Sequence, residues 1–83
     1  MVFLVLDKHA FEEALKIRNV ALWVGSNLLT KLNHGEMVAN GMNVTRFNYP
    51  INPLNQLEID DALETIKEHH PSENIWVQYA NKP

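Results

Sequence analysis

The sequence predicts a small α+β protein with the element order strand, helix, strand, strand, helix, strand. Three observations lead to this prediction. An unbroken apolar run opens the chain, an apolar row with helical spacing follows it, and an Asn-Gly pair separates two later runs. The 83 residues carry a net charge of −3 and contain no cysteine. The lack of cysteine excludes a disulfide framework and a thiolate metal site, and it fits a cytoplasmic location.

The first element is predicted to be a buried central strand over residues 2–6. Every residue from Val2 to Leu6 is apolar, and Asp7 ends the run. A strand that is apolar at every position suits a sheet with both faces covered better than a sheet with one wet face. The run is too short for a signal peptide or a membrane span, so we expect no membrane association.

The second element is predicted to be an unusually long helix over residues 8–34. Asp7 is placed to cap its start, and Gly35 is placed to end it. An apolar row at spacings of three and four supports the helix, and it consists of Ala10, Ala14, Ile17, Ala21, Val24 and Leu28. A kink at Gly25 is compatible with this pattern. A competing interpretation makes residues 20–24 a strand.

The middle of the chain is predicted to form a β-hairpin. Residues 36–39 and 42–49 supply its strands, and Asn40-Gly41 suits a type I′ turn, in which both central residues need a positive φ. Pro50 and Pro53 end the second strand, because proline cannot donate to a sheet ladder.

The second helix and the last strand complete the predicted order. Asn52 or Asn55 caps the helix, with Glu58 three residues after Asn55. The helix ends near His70, because Pro71 disfavours the helical conformation of the residue before it. Its predicted apolar row is Leu57, Ala62, Leu63 and Ile66. Alternation of apolar residues then predicts a strand over residues 74–79.

Together these elements fit a ferredoxin-like split βαβ sandwich, with one antiparallel sheet and two helices on one face. This resemblance exists at the level of the fold alone, and such folds carry many unrelated functions. No linker or internal repeat divides the sequence, so we expect a single domain over residues 1–83.

One face of that predicted sheet is too apolar to face water. The strand registers place Phe3, Val5, Arg46 and Trp76 on the side away from the helices. We therefore expect a non-enzymatic interaction or regulatory module, of inhibitor or adaptor type, that docks another protein or a second copy there. Phe3, Val5 and Trp76 would supply apolar contacts and Arg46 a polar anchor. A register error of one residue, or cover from the C-terminal tail, would remove this surface.

The second helix is strongly acidic, with Glu58, Asp61, Glu64 and Glu68 as the candidate residues. We expect these carboxylates to steer a basic partner, or to imitate the phosphates that such a partner normally meets. The simpler interpretation is a solvated face whose first acids complement the helix dipole.

The long first helix predicts a homodimer as well. Its second half, around Val24, Leu28 and Leu32, presents a continuous apolar stripe that would pack on a symmetry mate.

Two other classes of function remain open. The first is an RNA- or DNA-binding module that stacks bases on the same sheet face, although residues 41–49 do not match the RNA recognition motif and only Arg46 lies there to meet a phosphate. The second is a small oligomeric enzyme, for which no catalytic residue can be named.

Histidines are expected at one edge of the predicted fold. His9 would lie near His69 and His70, with Glu13 and Glu73 in reach, but the spacing matches no zinc pattern. We therefore predict no metal and no cofactor.

Overall fold

Seven helices and strands make up the computed structural model, which describes residues 1–17 and 19–78. In chain order they are β1 (Val2–Val5), α1 (Lys8–Ala14), β2 (Ala21–Val24), α2 (Lys31–Ala39), β3 (Val44–Arg46), α3 (Gln56–His69) and β4 (Ile75–Gln78). The strands form one sheet in the order β3-β2-β1-β4. None of the helices in the described ranges has both the length and the apolar character needed to cross a bilayer.

The sheet is entirely parallel, so the predicted antiparallel, ferredoxin-like sandwich and its βαββαβ order are wrong. β1 pairs in parallel with β2 and with β4, and β2 pairs in parallel with β3. The prediction of a buried central strand is confirmed, since β1 has neighbours on both sides and all four of its residues are buried. That property is itself typical of parallel sheets, and it already favoured this architecture.

The predicted helix over residues 8–34 is wrong, and the competing interpretation of residues 20–24 as a strand is confirmed by β2. α1 ends at Ala14, and Asn19 has a positive φ of 60° in the turn that follows. Residue 18, immediately before Asn19, lies outside the described residues. Because all four residues of β2 are apolar and buried, they fit a helical period as well as a strand.

The predicted hairpin is wrong as well, because residues 31–39 form α2. Gly41 does have a positive φ of 83°, but it ends this helix. The Gly41 N–H donates to the Val38 carbonyl at 3.0 Å, and the Met42 N–H donates to the Met37 carbonyl at 3.0 Å. These two bonds form a Schellman motif, the usual glycine-dependent end of a helix.

The second half of the chain agrees with the sequence more closely. Asn55 caps α3 by accepting from the backbone N–H groups of Leu57 and Glu58, and His70 is the C-cap immediately before Pro71. β4 lies within the predicted last strand, whose residue 79 is outside the described residues. The predicted strand 42–49 is reduced to the three residues of β3.

Helices cover both faces of the sheet and produce two cores. On one face α3 packs over the strands, and the buried residues there include Leu4, Leu6, Trp23 and Ile66. On the other face α1 lies over Phe3, Val5 and their neighbours. The open sheet face that the sequence predicted is therefore covered by the chain's own helices.

Two loops at the carboxyl ends of β2 and β3 are tied together. The Ser26 N–H donates to the Tyr49 carbonyl at 3.0 Å, and Asn27 Oδ1 accepts from the Ile51 N–H at 3.4 Å. Gly25 lies so close to this contact that a Cβ there would be 2.8 Å from the Ile51 nitrogen. The loop that leads into α3 is thus fixed on the end of β2.

Candidate protein-binding surfaces

The three predicted apolar contacts have different environments. Phe3, only 7% exposed, and Val5, fully buried, lie in the core under α1, where no partner can reach them. Trp76 is 52% exposed. It lies beside Phe3 in the register and projects to the same side, but β4 is the outermost strand, and the α1 core does not extend over it.

Arg46 makes its contacts within the chain. Its Nε donates to the Leu29 carbonyl, and its Nη1 donates to the Phe47 carbonyl at 3.5 Å. The guanidinium therefore fastens β3 to the loop before α2, and it is half-buried in that position.

The predicted dimer stripe does not exist as one helical face. Val24 is fully buried in β2, Leu28 is half-buried in the following loop, and Leu32 is 73% exposed on α2. These residues belong to three separate parts of the fold because β2 interrupts the predicted helix.

The predicted acidic residues divide into two groups. Glu58 is part of the helix cap, since its Oε1 accepts from the Asn52 N–H and its Oε2 accepts from the Asn55 amide, both at 2.9 Å. The other three are exposed and recur at helical spacing on the side opposite the buried residues of α3. We call this set the outer acidic row; it consists of Asp61, Glu64 and Glu68.

Two exposed leucines were missed as candidate site residues. Leu54 is 93% exposed and Leu57 is 76% exposed. The sequence placed Leu57 in the apolar row of α3, but Ile59 takes that place, and Leu57 shares the outward side with the outer acidic row. The spacing carried this signal, because Ile59 stands three residues before Ala62, whereas Leu57 stands five residues before it.

Leu54 has no packing role at the start of α3. A residue immediately before an N-cap often packs on the fourth residue of its helix, which is Ile59 here. Ile59 is buried, whereas Leu54 is almost fully in solvent. Together, Leu54, Leu57 and the outer acidic row are called the leucine surface below.

The backbone that carries these leucines is held by several hydrogen bonds. Asn52 Oδ1 accepts from the Leu54 N–H at 2.9 Å, and the Asn52 carbonyl accepts from the Asn55 N–H at 3.0 Å. Glu58 fastens the same turn, and Ile51 is buried beneath it. Leu54 is therefore presented on a fixed loop, and Leu57 on the first turn of α3.

A second exposed surface is the outer edge of β4. The Leu6 N–H donates to the Gln78 carbonyl at 2.9 Å. In a parallel ladder the backbone groups of successive residues bond to alternate sides. The N–H and C=O groups of Trp76 and Gln78 therefore face β1, and those of Ile75 and Val77 point outward. No hydrogen bond to these outward groups is formed from within residues 1–17 and 19–78. We call this the open edge.

Shallow grooves flank the open edge on both sides. A groove of about 200 Å³ beside α1 is lined partly by Phe3, Ile17 and Gln78. A groove of about 420 Å³ beside α3 is lined partly by Leu63 and Ile75. Apolar side chains are therefore accessible above and below the strand.

At the opposite edge of the sheet, β3, a side chain bonds an outward backbone carbonyl. The register and the bond from the Phe47 N–H to the Val24 carbonyl turn the backbone groups of Val44 outward. His34 Nε2 lies 2.7 Å from the Val44 carbonyl and donates to it.

A cavity of about 680 Å³ lies at the amino ends of the strands. Asn19, Asn43, His70 and Glu73 contribute its polar lining. His70 Nδ1 and Glu73 Oε1 are 3.0 Å apart. Hydrogen bonds from His70 and from the amino terminus hold the pKa of Glu73 below its usual value.

The histidines do not gather as predicted. α1 begins at the carboxyl ends of the strands and α3 finishes at the amino ends, so His9 and His70 lie at opposite ends of the strands. Within residues 1–17 and 19–78, no three His, Asp or Glu side chains are grouped to hold a metal ion.

The turn between β1 and α1 is unsuited to phosphate binding. In parallel sheets with helices on both faces, ligands often bind where the winding direction reverses, here between β1 and β4. Leu6-Asp7-Lys8 contains no glycine, and Asp7 Oδ1 accepts from the Ala10 N–H at 2.8 Å. A phosphate at this point would meet a carboxylate, whereas phosphate-binding turns offer free amide donors.

These features define a small, doubly wound α/β protein with two accessible apolar surfaces. Comparisons with protein-family models, with curated proteins and with solved structures found no match for the chain. Its function is therefore inferred from the surfaces themselves.

Proposed function

We propose that the protein is a non-enzymatic interaction module, of inhibitor or adaptor type, that binds a basic protein through the leucine surface. The observation that carries this proposal is the exposure of Leu54, on a loop whose backbone is fixed, and of Leu57, in the first turn of α3. We also propose that it acts in the cytoplasm, a reducing compartment that suits a chain without cysteine.

The two leucines are suited to be the apolar anchors. Burying one such side chain is worth about 1.5–3 kcal/mol, and that gain is unused in the isolated protein. Because the loop is held by hydrogen bonds at Asn52 and Asn55, little further ordering is needed on binding.

The outer acidic row supports a basic partner. Asp61, Glu64 and Glu68 extend from Leu57 along the exposed side of α3 with no basic residue in the same row. Exposed carboxylates mainly accelerate the encounter with a positively charged partner and select its orientation. Glu58 is excluded from this role, because its carboxylate already binds the cap of the helix.

The nucleic-acid alternative has little support. Phe3 is unavailable for base stacking under α1, Arg46 is bonded to carbonyls of its own chain, and the net charge is −3. Polyanion binding depends on lysine and arginine contacts to phosphates, and the exposed row on α3 has the wrong sign for such contacts.

A second candidate function, small-molecule binding with acid–base chemistry, is favoured by the cavity at the amino ends of the strands. If His70 donates its Nδ1–H to Glu73, the Nε2 atom is left as a base. We rank this candidate second, because ligands of parallel sheets bind mostly at the carboxyl ends. A ligand library that raises the melting temperature of the wild type and not of His70→Phe would support it.

The proposed function is tested with a displayed library of random peptides. The wild type should enrich peptides that combine Lys or Arg with large apolar residues. Leu54→Ser/Leu57→Ser should lower the affinity of those peptides more than about tenfold, since two anchors are lost. Asp61→Asn/Glu64→Gln/Glu68→Gln should slow association and reduce its salt dependence.

Leu32→Ser is the matched control, because Leu32 is equally apolar and 73% exposed but lies on α2. It should bind the selected peptides like the wild type. Enrichment of acidic peptides, or an equal loss in the control variant, would show that the leucine surface is not the binding site.

A further inference from the structure

We propose that two copies of the chain associate through the open edge, with β4 antiparallel to its counterpart about a two-fold axis at Trp76. The occupant of this edge is thus a second copy, and the result is one continuous sheet of both subunits. This inference does not depend on the proposed function, because the loop of Leu54 is fixed on the end of β2, away from β4.

The backbone groups of the open edge complement themselves. In an antiparallel pair, positions that exchange two hydrogen bonds alternate with positions that exchange none. Ile75 and Val77 both turn their N–H and C=O groups outward. A two-fold axis at Trp76 sets Ile75 opposite Val77 of the partner subunit. Each N–H of this pair then faces a C=O of the other subunit, and the two-fold axis generates a second, identical pair.

Trp76 then occupies the non-bonded position on the axis. In such pairs the two Cα atoms are about 4.5 Å apart and the side chains are closest. The axis is perpendicular to the sheet, so both indoles project on the side of α1. Half-exposed in one copy, each indole would be covered by the other.

Charge favours this edge over the other surfaces for self-association. Residues 75–78 carry no charge, whereas the outer acidic row would repel a second copy at α3. Native edge strands usually avoid pairing through lysine, proline or a bulge, and β4 has no lysine or proline. At the β3 edge, the outward carbonyl of Val44 already accepts from His34.

The size of the surface predicts a weak dimer. A standard interface buries about 800 Å² per partner with 20–30 residues. The four residues of β4 and the two flanking grooves offer fewer than that. We therefore expect association that depends on concentration, and each dimer would present two leucine surfaces, which would bind a multivalent partner with avidity.

Sedimentation velocity over a concentration series tests the proposal. The wild type should convert from monomer to dimer as its concentration rises. Trp76→Lys should remain monomeric, because two ammonium groups would face each other across the axis. Leu32→Lys is the control, because it introduces a lysine at another exposed apolar residue, on α2. It should dimerise like the wild type.

Cysteine cross-linking tests the register, since the natural chain has no cysteine. Trp76→Cys should form an intermolecular disulfide under mild oxidation, because the Cα separation on the axis falls within the range a disulfide spans. Gln78→Cys should not, because it lies away from the axis. This measurement also decides the case if Trp76→Lys is unfolded.

A wild type that stays monomeric at every concentration would overturn the proposal. So would a dimer that survives Trp76→Lys, or a disulfide that forms as readily at position 78. A monomer that captures an extended peptide along β4 would show that another protein occupies the edge. Each of these results leaves the test of the leucine surface unaffected.

Discussion

The two outer strands of the sheet differ in how their free backbone groups are treated. At β3, His34 bonds the outward carbonyl of Val44, and Arg46 fastens the strand to Leu29. At β4, the outward groups of Ile75 and Val77 receive no bond from the described residues. The strand sequences do not reveal this difference, because His34, which bonds the Val44 carbonyl, and Leu29, which accepts from Arg46, both lie outside the strand.

The largest effect is expected at Gly25, which packs against the loop that follows β3. In Gly25→Ala the new Cβ would lie 2.6 Å from Asn27 Oδ1 and 2.8 Å from the Ile51 nitrogen. Relieving this overlap requires a shift of backbone, so we expect a loss of about 2–3 kcal/mol in the free energy of unfolding. Urea denaturation measures it.

Gly35→Ala is the control for that substitution. No atom lies within 4 Å of its added Cβ, and Gly35 is inside α2. The variant should gain about 0.5–1 kcal/mol, because alanine favours a helix over glycine. Equal losses at the two glycines would contradict the packing difference.

Removing the guanidinium from the β3 edge should have the next largest effect. Arg46→Met keeps much of the side-chain stem but loses the bonds to the Leu29 and Phe47 carbonyls. We expect a loss of about 1–2 kcal/mol in the free energy of unfolding. Arg46→Lys should recover only part of it, since an ammonium does not match the planar donor fork.

A smaller effect is expected for His34→Ala, about 1 kcal/mol in the free energy of unfolding. The Val44 carbonyl would lose its donor, so no outward backbone group of β3 would be bonded from within the described residues. Sedimentation should show species larger than a dimer at high concentration. Glu36→Ala, on an exposed site of α2, should show neither change.

The smallest effect concerns the start of the open edge. The bond from His70 lowers the pKa of Glu73, so the folded state favours its carboxylate. That contribution is present above the ordinary pKa of 4.5 and is lost as the pH falls through the lower folded pKa. As the pH falls from above 4.5 through that lower pKa, the wild type should therefore lose the small advantage in melting temperature that it has over Glu73→Gln. Glu64→Gln, on the outer acidic row, serves as control.

The sequence predicted the parts of the fold that depend on local signals. Asn55 and Pro71 define the ends of α3, and the uniform apolar run of residues 2–6 defines the central strand. β2 was expected only as the competing interpretation because Ala-Leu-Trp-Val fits both periods, and Gly41 was misassigned because a helix end and a hairpin both require its positive φ. Strand direction depends on pairing between distant segments, which periodicity does not report.

The candidate site was predictable to a similar extent. The outer acidic row follows from helical spacing, and Trp76 is exposed because its strand is outermost. The prediction places Phe3 and Val5 on an open face because a ferredoxin-like sheet carries both of its helices on the other face. Leu54 was missed, because exposure in a loop depends on hydrogen bonds that fix it away from the core. Leu57 could have been found from its spacing, since it stands five residues before Ala62 and Ile59 stands three.

The pairing of β1 with β4 has a consequence for synthesis. Val2 pairs with Ile75, so β1 leaves the ribosome long before its partner β4, the last described strand. Until β4 is synthesised, the fully apolar strand β1 lacks one of its two neighbouring strands. Closing the long loop between β1 and β4 also slows folding. We expect nascent chains stalled before residue 75 to bind chaperones and to aggregate more readily than the finished protein.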